Sequence, residues 1–204
     1  MSETLIGERK RLTRAAALAE RRSLISADSS SWSRAIQEKV LQFPPYILSH
    51  SVALYSPIQN EVDTAAVREH ALGAGKTVYY PKMGKSCLEL LRVDASAEFA
   101  TGHFGVLEPI GETRLMDPDP LGLMVIVPGV VFDSKGNRLG RGEGWYDRLL
   151  KQIGRNAIFL GLAYQFQIVD EVPVDPWDQS VDYVITERRV IDCGATRAQS
   201  SLAS

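Results

Sequence analysis

Residues 128 to 148 read PGVVFDSKGNRLGRGEGWYDR, and here Gly136, Gly140, Gly142 and Gly144 are interleaved with Arg138 and Arg141 and followed by Arg148. Glycines let backbone N–H groups converge on one point, and guanidinium forks beside them match phosphate oxygens in pairs. The pattern points to holding a phosphate chain. Hydrolase chemistry through a serine nucleophile has no support, because no G-x-S-x-G elbow occurs. His50, His70 and His103 stand alone with no second ligand at helical spacing, which assigns them structural or surface roles. Asp147 lies just beyond the last glycine, where it would either complement a helix dipole or share Mg2+ with bound phosphates. Asp175 and Asp178 are later loop carboxylates that could complete such a site. Lys10, Arg11 and Arg14 share roughly one face of a predicted helix, and they matter to the chemistry only if the fold lays that helix over the glycine run.

Two standard nucleotide signatures do not fit. A Rossmann fingerprint needs glycine where Trp145 stands, and about a dozen residues separate the preceding strand from the glycine run. Gly84-Lys85-Ser86 imitates the end of a P-loop, but the glycine required five positions earlier is Tyr79, so this segment reads as a surface turn.

The elements that would position these residues are legible as apolar runs. A first helix is predicted from Thr4 to Leu24. A second, capped by Asp28 or the serines 29 to 31, runs through Ile36, Val40 and Leu41 to Pro44 and Pro45, antiparallel to the first. Ser51 to Tyr55, a helix over Thr64 to Leu72, and Thr77 to Tyr80 form a βαβ unit. Leu88 to Val93 alternates enough to have one wetter face. Leu123 to Val127 and Ala157 to Ala163 lack alternation, as central parallel strands do, and a helix starting near Gly144 joins them. Val181 to Thr186 is the last predicted strand. The glycine run thus sits beyond the C-terminal end of a buried strand, where open α/β sheets bind ligands, and at a helix N-terminus that favours anions.

The chain has 204 residues, 45% hydrophobic and 24% charged, which suits one α/β domain over residues 1 to 193 with a flexible tail from 194 to 204. Net charge is −2, too near neutral for bulk attraction to nucleic acid or an anionic membrane. Locally the charge is uneven. Residues 1 to 22 and 133 to 155 each carry six basic and three acidic side chains, whereas residues 166 to 192 carry seven acidic and two basic, so two cationic segments and one anionic one could meet. Cys87 and Cys193 suggest neither a disulfide framework nor a thiolate metal site, which predicts a cytoplasmic protein. The charged N-terminus predicts no secretory leader, and no apolar stretch approaches the roughly 20 residues of a membrane helix.

The glycine run resembles the signature of the 5-formyltetrahydrofolate cyclo-ligase family, PG-x-x-F-D-x-x-G-x-R-L-G-x-G-x-G-Y-Y-D. Further pieces match in order: Lys10 and Arg14 its Lys-x-x-x-Arg, and Tyr55-Ser56-Pro57 with Glu61 its Y-x-P-x-x-x-E. Pro81-Lys82 matches its proline and base after the second strand, and Phe104-Gly105-Val106 with Glu108-Pro109 its F-G-[IV]-x-E-P. Gln167 matches its late glutamine, and Val172-Pro173 through Asp178 its closing segment. The resemblance implies a three-layer α/β fold, a mostly parallel Rossmann-like sheet preceded by a helical pair. It implies an ATP- and Mg2+-dependent conversion of 5-formyltetrahydrofolate to 5,10-methenyltetrahydrofolate, with release of ADP and phosphate through a phosphorylated formyl group. Beside this, a monomer without nucleic-acid or membrane partners is expected. By resemblance, Lys10, Arg14, Arg138, Leu139, Gly140, Arg141, Gly142, Glu143, Gly144, Trp145 and Tyr146 contact ATP. Ser56, Glu61 and the stretch Arg141 to Trp145 meet the folate. Asp147 and Asp178 hold Mg2+, and Arg138, Arg141 and Tyr146 carry the catalysis. Two positions depart from the pattern: Glu143 stands where relatives carry glycine or a base, and Trp145 replaces the first of two tyrosines. A non-catalytic folate- or nucleotide-binding paralogue is the alternative that Glu143 keeps open, and a phosphosugar isomerase-like or transferase relative is a weaker third reading.

Overall fold

In the computed structural model, which describes residues 3–111, 122–154 and 156–194, the apolar runs assemble into a seven-stranded sheet. The elements in chain order are α1 (Glu3–Ser23), α2 (Ser26–Gln42), α3 (Pro44–Leu48), β1 (Ser51–Ala53), α4 (Ala65–Gly73), β2 (Thr77–Met83), β3 (Leu88–Val93), β4 (Phe99–Thr101) and β5 (Leu107–Pro109). There follow β6 (Leu123–Val127), β7 (Val131–Phe132), β8 (Arg138–Leu139), α5 (Trp145–Ile153), β9 (Ile158–Leu162), β10 (Tyr183–Ile185) and β11 (Val190–Asp192). The spatial order is β11-β10-β9-β6-β1-β2-β3, parallel from β10 to β2 and closed at each edge by an antiparallel strand. This is the mostly parallel α/β architecture that the sequence predicts.

The central strands lack alternation because both of their faces are covered. Met124 and Ile126 join a cluster with Ile36 and Val40 of α2, Tyr46 of α3 and Val67 and Ala71 of α4. Leu123, Val125 and Val127 point the other way, onto Leu149, Leu150 and Ile153 of α5. Period-two projection from a strand buried on both faces gives a continuous apolar run.

Chain order reverses between β1 and β6. From β1 the chain proceeds to β2 on one side, and from β6 to β9 and β10 on the other. The loops that leave the C-terminal ends of β1 and β6 therefore diverge and open a crevice, as at the switch point of other open α/β sheets. The loop after β1 carries Ser56 and Glu61, and the loop after β6 carries the glycine run.

Several elements differ from expectation. The second helix starts at Ser26 with Ile25 preceding it and no side-chain cap, so Asp28 and Ser29 to Ser31 lie inside the helix. The two N-terminal helices part company: α1 packs on β7, whereas α2 packs on α3, α4 and β10. A further edge strand, β11, follows β10, and the residues between β6 and α5 form the β7–β8 hairpin. Residues 195–204, most of the expected tail, lie outside the described residues. Among the described residues no helix is long and apolar enough to cross a membrane.

The hairpin also divides the four glycines. Gly136 sits in its turn at φ 81, built on Asp133, whose carboxylate accepts N–H groups from Lys135, Asn137 and Val172. A Cβ at Gly136 would lie 2.2 Å from the Val181 carbonyl oxygen. This glycine therefore serves packing, and the expectation of a four-glycine cradle is corrected to three. Gly136→Ala should destabilise the fold by about 2–4 kcal/mol, from backbone strain plus overpacking, and lower Tm by ~5–15 °C in a thermal melt.

Candidate active site

Lys10, Arg14, Ala17 and Arg21 occupy one stripe of α1, because steps of four, three and four residues return to the same face of a 3.6-residue helix. Ala17 seats this stripe on Val130, Val131, Leu139 and Val172. Each of the three cations then meets a different segment. Lys10 Nζ donates to Asp175 Oδ2 at 2.6 Å and Asp178 Oδ2 at 2.5 Å. Arg14 Nε donates to the Gly140 carbonyl at 2.8 Å, and Arg21 Nη2 donates to Glu61 Oε1 at 3.2 Å. Burial acts against the charge on Lys10, but its hydrogen bonds to the two aspartates and their negative charges outweigh it and its pKa is raised. Arg11 turns outward toward Glu8, at 3.7 Å. The first helix does lie over the glycine run, which is the condition under which its bases matter. Arg21 is the cation of this stripe that the sequence reading leaves out.

The remaining glycines, Gly140, Gly142 and Gly144, line a cavity of about 730 Å3 together with Lys10, Arg14, Ser56, Glu61, Arg138, Asp147 and Asp178. Gly142 (φ 111) and Gly144 (φ 66) adopt backbone conformations that L side chains disfavour, and Gly144 precedes the first turn of α5. Leu139 packs into the apolar cluster beneath α1 and also borders the cavity. Arg148 is not available as a phosphate clamp. Its guanidinium lies 4.4 Å from the Trp145 ring centroid and donates to the carbonyls of Ser86 and Glu143. The Gly84-Lys85-Ser86 segment is the β2–β3 turn, as expected.

Arg138 is buried, and its Nη2 donates to Asp147 Oδ1 at 2.9 Å while the guanidinium lies 5.8 Å from the Tyr146 ring centroid. Burial, followed by the Glu61 charge, pushes the Tyr146 phenol well above its ordinary range, so this wall is a neutral one. Asp147 Oδ1 also accepts the Gln179 backbone N–H at 3.0 Å. The carboxylate thus reaches across to Arg138 and the late acidic loop, from a place in the first turn of α5 where its charge also complements the helix dipole.

Asp147 and Asp178 each face a cation, Arg138 and Lys10 respectively, so the protein already places positive charge where a metal ion's would fall. Among the described residues no cluster of three His, Cys, Asp or Glu side chains could hold a metal. Mg2+ commonly binds one or two carboxylates and completes its shell with phosphate oxygens and water, so this donor set fits Mg2+ arriving with phosphates.

Across the cavity, Glu61 is held from three sides. Its Oε1 accepts Arg21 Nη2 and Arg141 Nη2, both at 3.2 Å, and its Oε2 accepts the Ile58 backbone N–H at 3.1 Å. Arg141 also donates to Gln59 Oε1 at 3.1 Å, so it reaches from the glycine loop to the Glu61 turn. The Ser56 hydroxyl donates to the Leu107 carbonyl at 2.6 Å, tying β5 to the loop after β1. His103, Phe104 and Trp177 also line the cavity, with Phe104 and Trp177 exposed beyond 60%. His103 therefore lines the cleft, although the sequence assigned it only a structural or surface role.

Glu143 is exposed, and its carboxylate makes no ion pair among the described residues. With ATP as the co-substrate that the family resemblance implies, Glu143→Gln should change its KM by no more than about twofold, downward if at all, in steady-state kinetics. A tenfold rise would show the carboxylate at work on a ligand.

Comparison with known proteins identifies the family and the fold. The sequence model described as the 5-formyltetrahydrofolate cyclo-ligase family matches residues 6–187. A probable 5-formyltetrahydrofolate cyclo-ligase from Schizosaccharomyces pombe is 34% identical over 176 residues, covering 79% of this chain and 86% of the relative. The Escherichia coli K12 5-formyltetrahydrofolate cyclo-ligase is 29% identical over 174 residues, covering 83% and 96%. The NMR structure of Aquifex aeolicus 5,10-methenyltetrahydrofolate synthetase superposes with a TM-score of 0.79 at 34% identity, over 90% of this chain and 92% of that one.

Proposed function

The chain belongs to the 5-formyltetrahydrofolate cyclo-ligase family and is an enzyme of that kind, and we propose that it closes 5-formyltetrahydrofolate to 5,10-methenyltetrahydrofolate at the expense of ATP, with Mg2+. The formyl oxygen is a poor leaving group. Transfer of the γ-phosphoryl group to it makes an activated imidate; N10 then attacks the formyl carbon, and phosphate departs with that oxygen. Such a reaction needs charge neutralisation and alignment, and no protein nucleophile.

One observation carries the reading: a single cavity is lined at once by two α1 cations, a three-glycine loop, three aspartates and Glu61. In this assignment Lys10, Arg14, Arg138 and the backbone from Leu139 to Tyr146 bind the triphosphate. Asp147 and Asp178 hold Mg2+, which neutralises phosphate charge when bound. Glu61 and Ser56 orient the folate, and Arg141, which reaches from the glycine loop to the Glu61 turn, aligns the formyl oxygen with the γ-phosphate. Tyr146 and Trp145 wall the reacting atoms from water. The test is to mix the protein with 5-formyltetrahydrofolate, ATP and Mg2+ and follow the near-ultraviolet absorbance of the conjugated methenyl product and ADP together. Equal amounts of both are expected; folate binding without either product would favour a non-catalytic binder.

A further inference from the structure

Arg21 is 1% exposed and has one N–H, on Nε, with no partner. Its Nη1 donates to the Gly129 carbonyl and its Nη2 to Glu61 Oε1, both at 3.2 Å. Burial pushes the pKa of this guanidinium down, and the Glu61 charge acts in the opposite direction. Burying an ion pair with an unsatisfied donor is a poor way to stabilise a fold, since a well-packed apolar side chain often serves as well or better. One turn earlier on the same stripe, Ala17 joins α1 to the β7–β8 hairpin by apolar contact alone. Seating the helix does not call for a charge at position 21.

What the charge does touch is the turn that presents Glu61. Gln59 (φ 49) and Asn60 (φ 58) are non-glycine residues in left-handed conformation, an arrangement that persists only where its surroundings enforce it. The Glu61 backbone N–H closes the turn onto the Ile58 carbonyl at 3.0 Å. Asn60 Nδ2 donates to the Arg21 carbonyl at 3.2 Å, so Arg21 engages the turn through both its backbone and its side chain. The other cation on Glu61, Arg141, is 35% exposed and able to re-pair with an incoming ligand, whereas Arg21 is enclosed. The Gly129 carbonyl, in the segment leading from β6 into the hairpin, also accepts Gln167 Nε2 at 3.2 Å.

We propose that Arg21 is a positioning residue for the ligase reaction: it fixes the Glu61 carboxylate against the root of the glycine-loop segment, so that the folate contact and the phosphate cradle keep a set separation. The proposal rests on the reading of Glu61 as a folate contact.

A double-mutant cycle on the full chain tests it, with Glu61→Gln, Arg21→Met and the double variant compared in kcat/KM for 5-formyltetrahydrofolate. Binding of a non-hydrolysable ATP analogue with Mg2+ is measured by calorimetry in parallel. Met roughly keeps the volume of Arg, and Gln167 keeps the Gly129 carbonyl satisfied, so the fold should survive. Each single change is expected to lower kcat/KM by about 30–100-fold, and the double variant to fall no more than about threefold below the worse single. Analogue affinity should stay within about twofold throughout. Losses that multiply in the double variant, or analogue binding that weakens in step with folate turnover, would mean that Arg21 acts only through the fold. If Glu61→Gln alone leaves folate kinetics unchanged, the reading of Glu61 fails and this proposal with it. If Glu61→Gln is impaired and the losses multiply, only this proposal fails. Should Arg21→Met not fold, Arg21→Lys, which keeps the charge but cannot span both partners, goes through the same cycle with the same criteria.

Discussion

Asp147→Asn should fold and bind folate like the parent protein, melting several degrees lower because buried Arg138 keeps its hydrogen bond but loses its counter-charge, yet lose about a hundredfold or more in kcat/KM for Mg·ATP, roughly 2.7 kcal/mol of transition-state stabilisation. Asparagine is chosen because its Oδ1 can still accept from Arg138 Nη2 and from the Gln179 N–H, the two bonds that Asp147 makes. Alanine would strand Arg138 as an unpaired buried charge and confuse catalysis with stability. What asparagine removes is the negative charge that would share a divalent cation with the phosphates. The check is calorimetry with a non-hydrolysable ATP analogue, with and without Mg2+, beside folate titrations. Equal weakening for both substrates would count against the metal assignment.

The second large effect is expected at Arg138. Its guanidinium pairs with Asp147, lies over Tyr146 and flanks the glycine loop, where a Cβ on Gly140 would stand 3.1 Å from its Nη1. Arg138→Lys supplies a point charge that can reach Asp147 but cannot offer two parallel donors or stack on the phenol ring. Turnover should fall by about 100-fold, expressed in kcat more than in KM, because a fork that matches the transferring phosphoryl group acts on the transition state. Retention of the charge should hold the stability loss to ~1–2 kcal/mol, readable in denaturant melts. Parent-like turnover in this variant would show that the fork is unnecessary.

Residues whose partners are close in sequence, or whose spacing repeats a pattern, were legible before the fold was known. The parallel core could be read from Leu123 to Val127 because strands covered on both faces have no polar side to display. Lys10 and Arg14 could be read from helical spacing, although what they face could not. Arg21 falls on the same stripe eleven residues after Lys10, yet its partner Glu61 lies 40 positions away, and no local signal says that an arginine in a basic helix is buried. Gly136 looked like part of the cradle because sequence counts glycines without knowing their neighbours; the Val181 carbonyl that claims its space comes from the far end of the chain. Arg148 likewise looked like a phosphate ligand, and only the fold turns it onto Trp145. The strands β7, β8 and β11 are two or three residues long, too short for period two to register.

In the proposed reaction one cavity sets the terminal phosphate of ATP against the formyl oxygen of the folate. Folate carrying oxygen-18 in its formyl group tests this most directly, in a single turnover with ATP and Mg2+, followed by mass analysis of the released phosphate. The label is predicted to appear in inorganic phosphate, in equal amount to the methenyl product and ADP. Label recovered in water, with unlabelled phosphate, would contradict it.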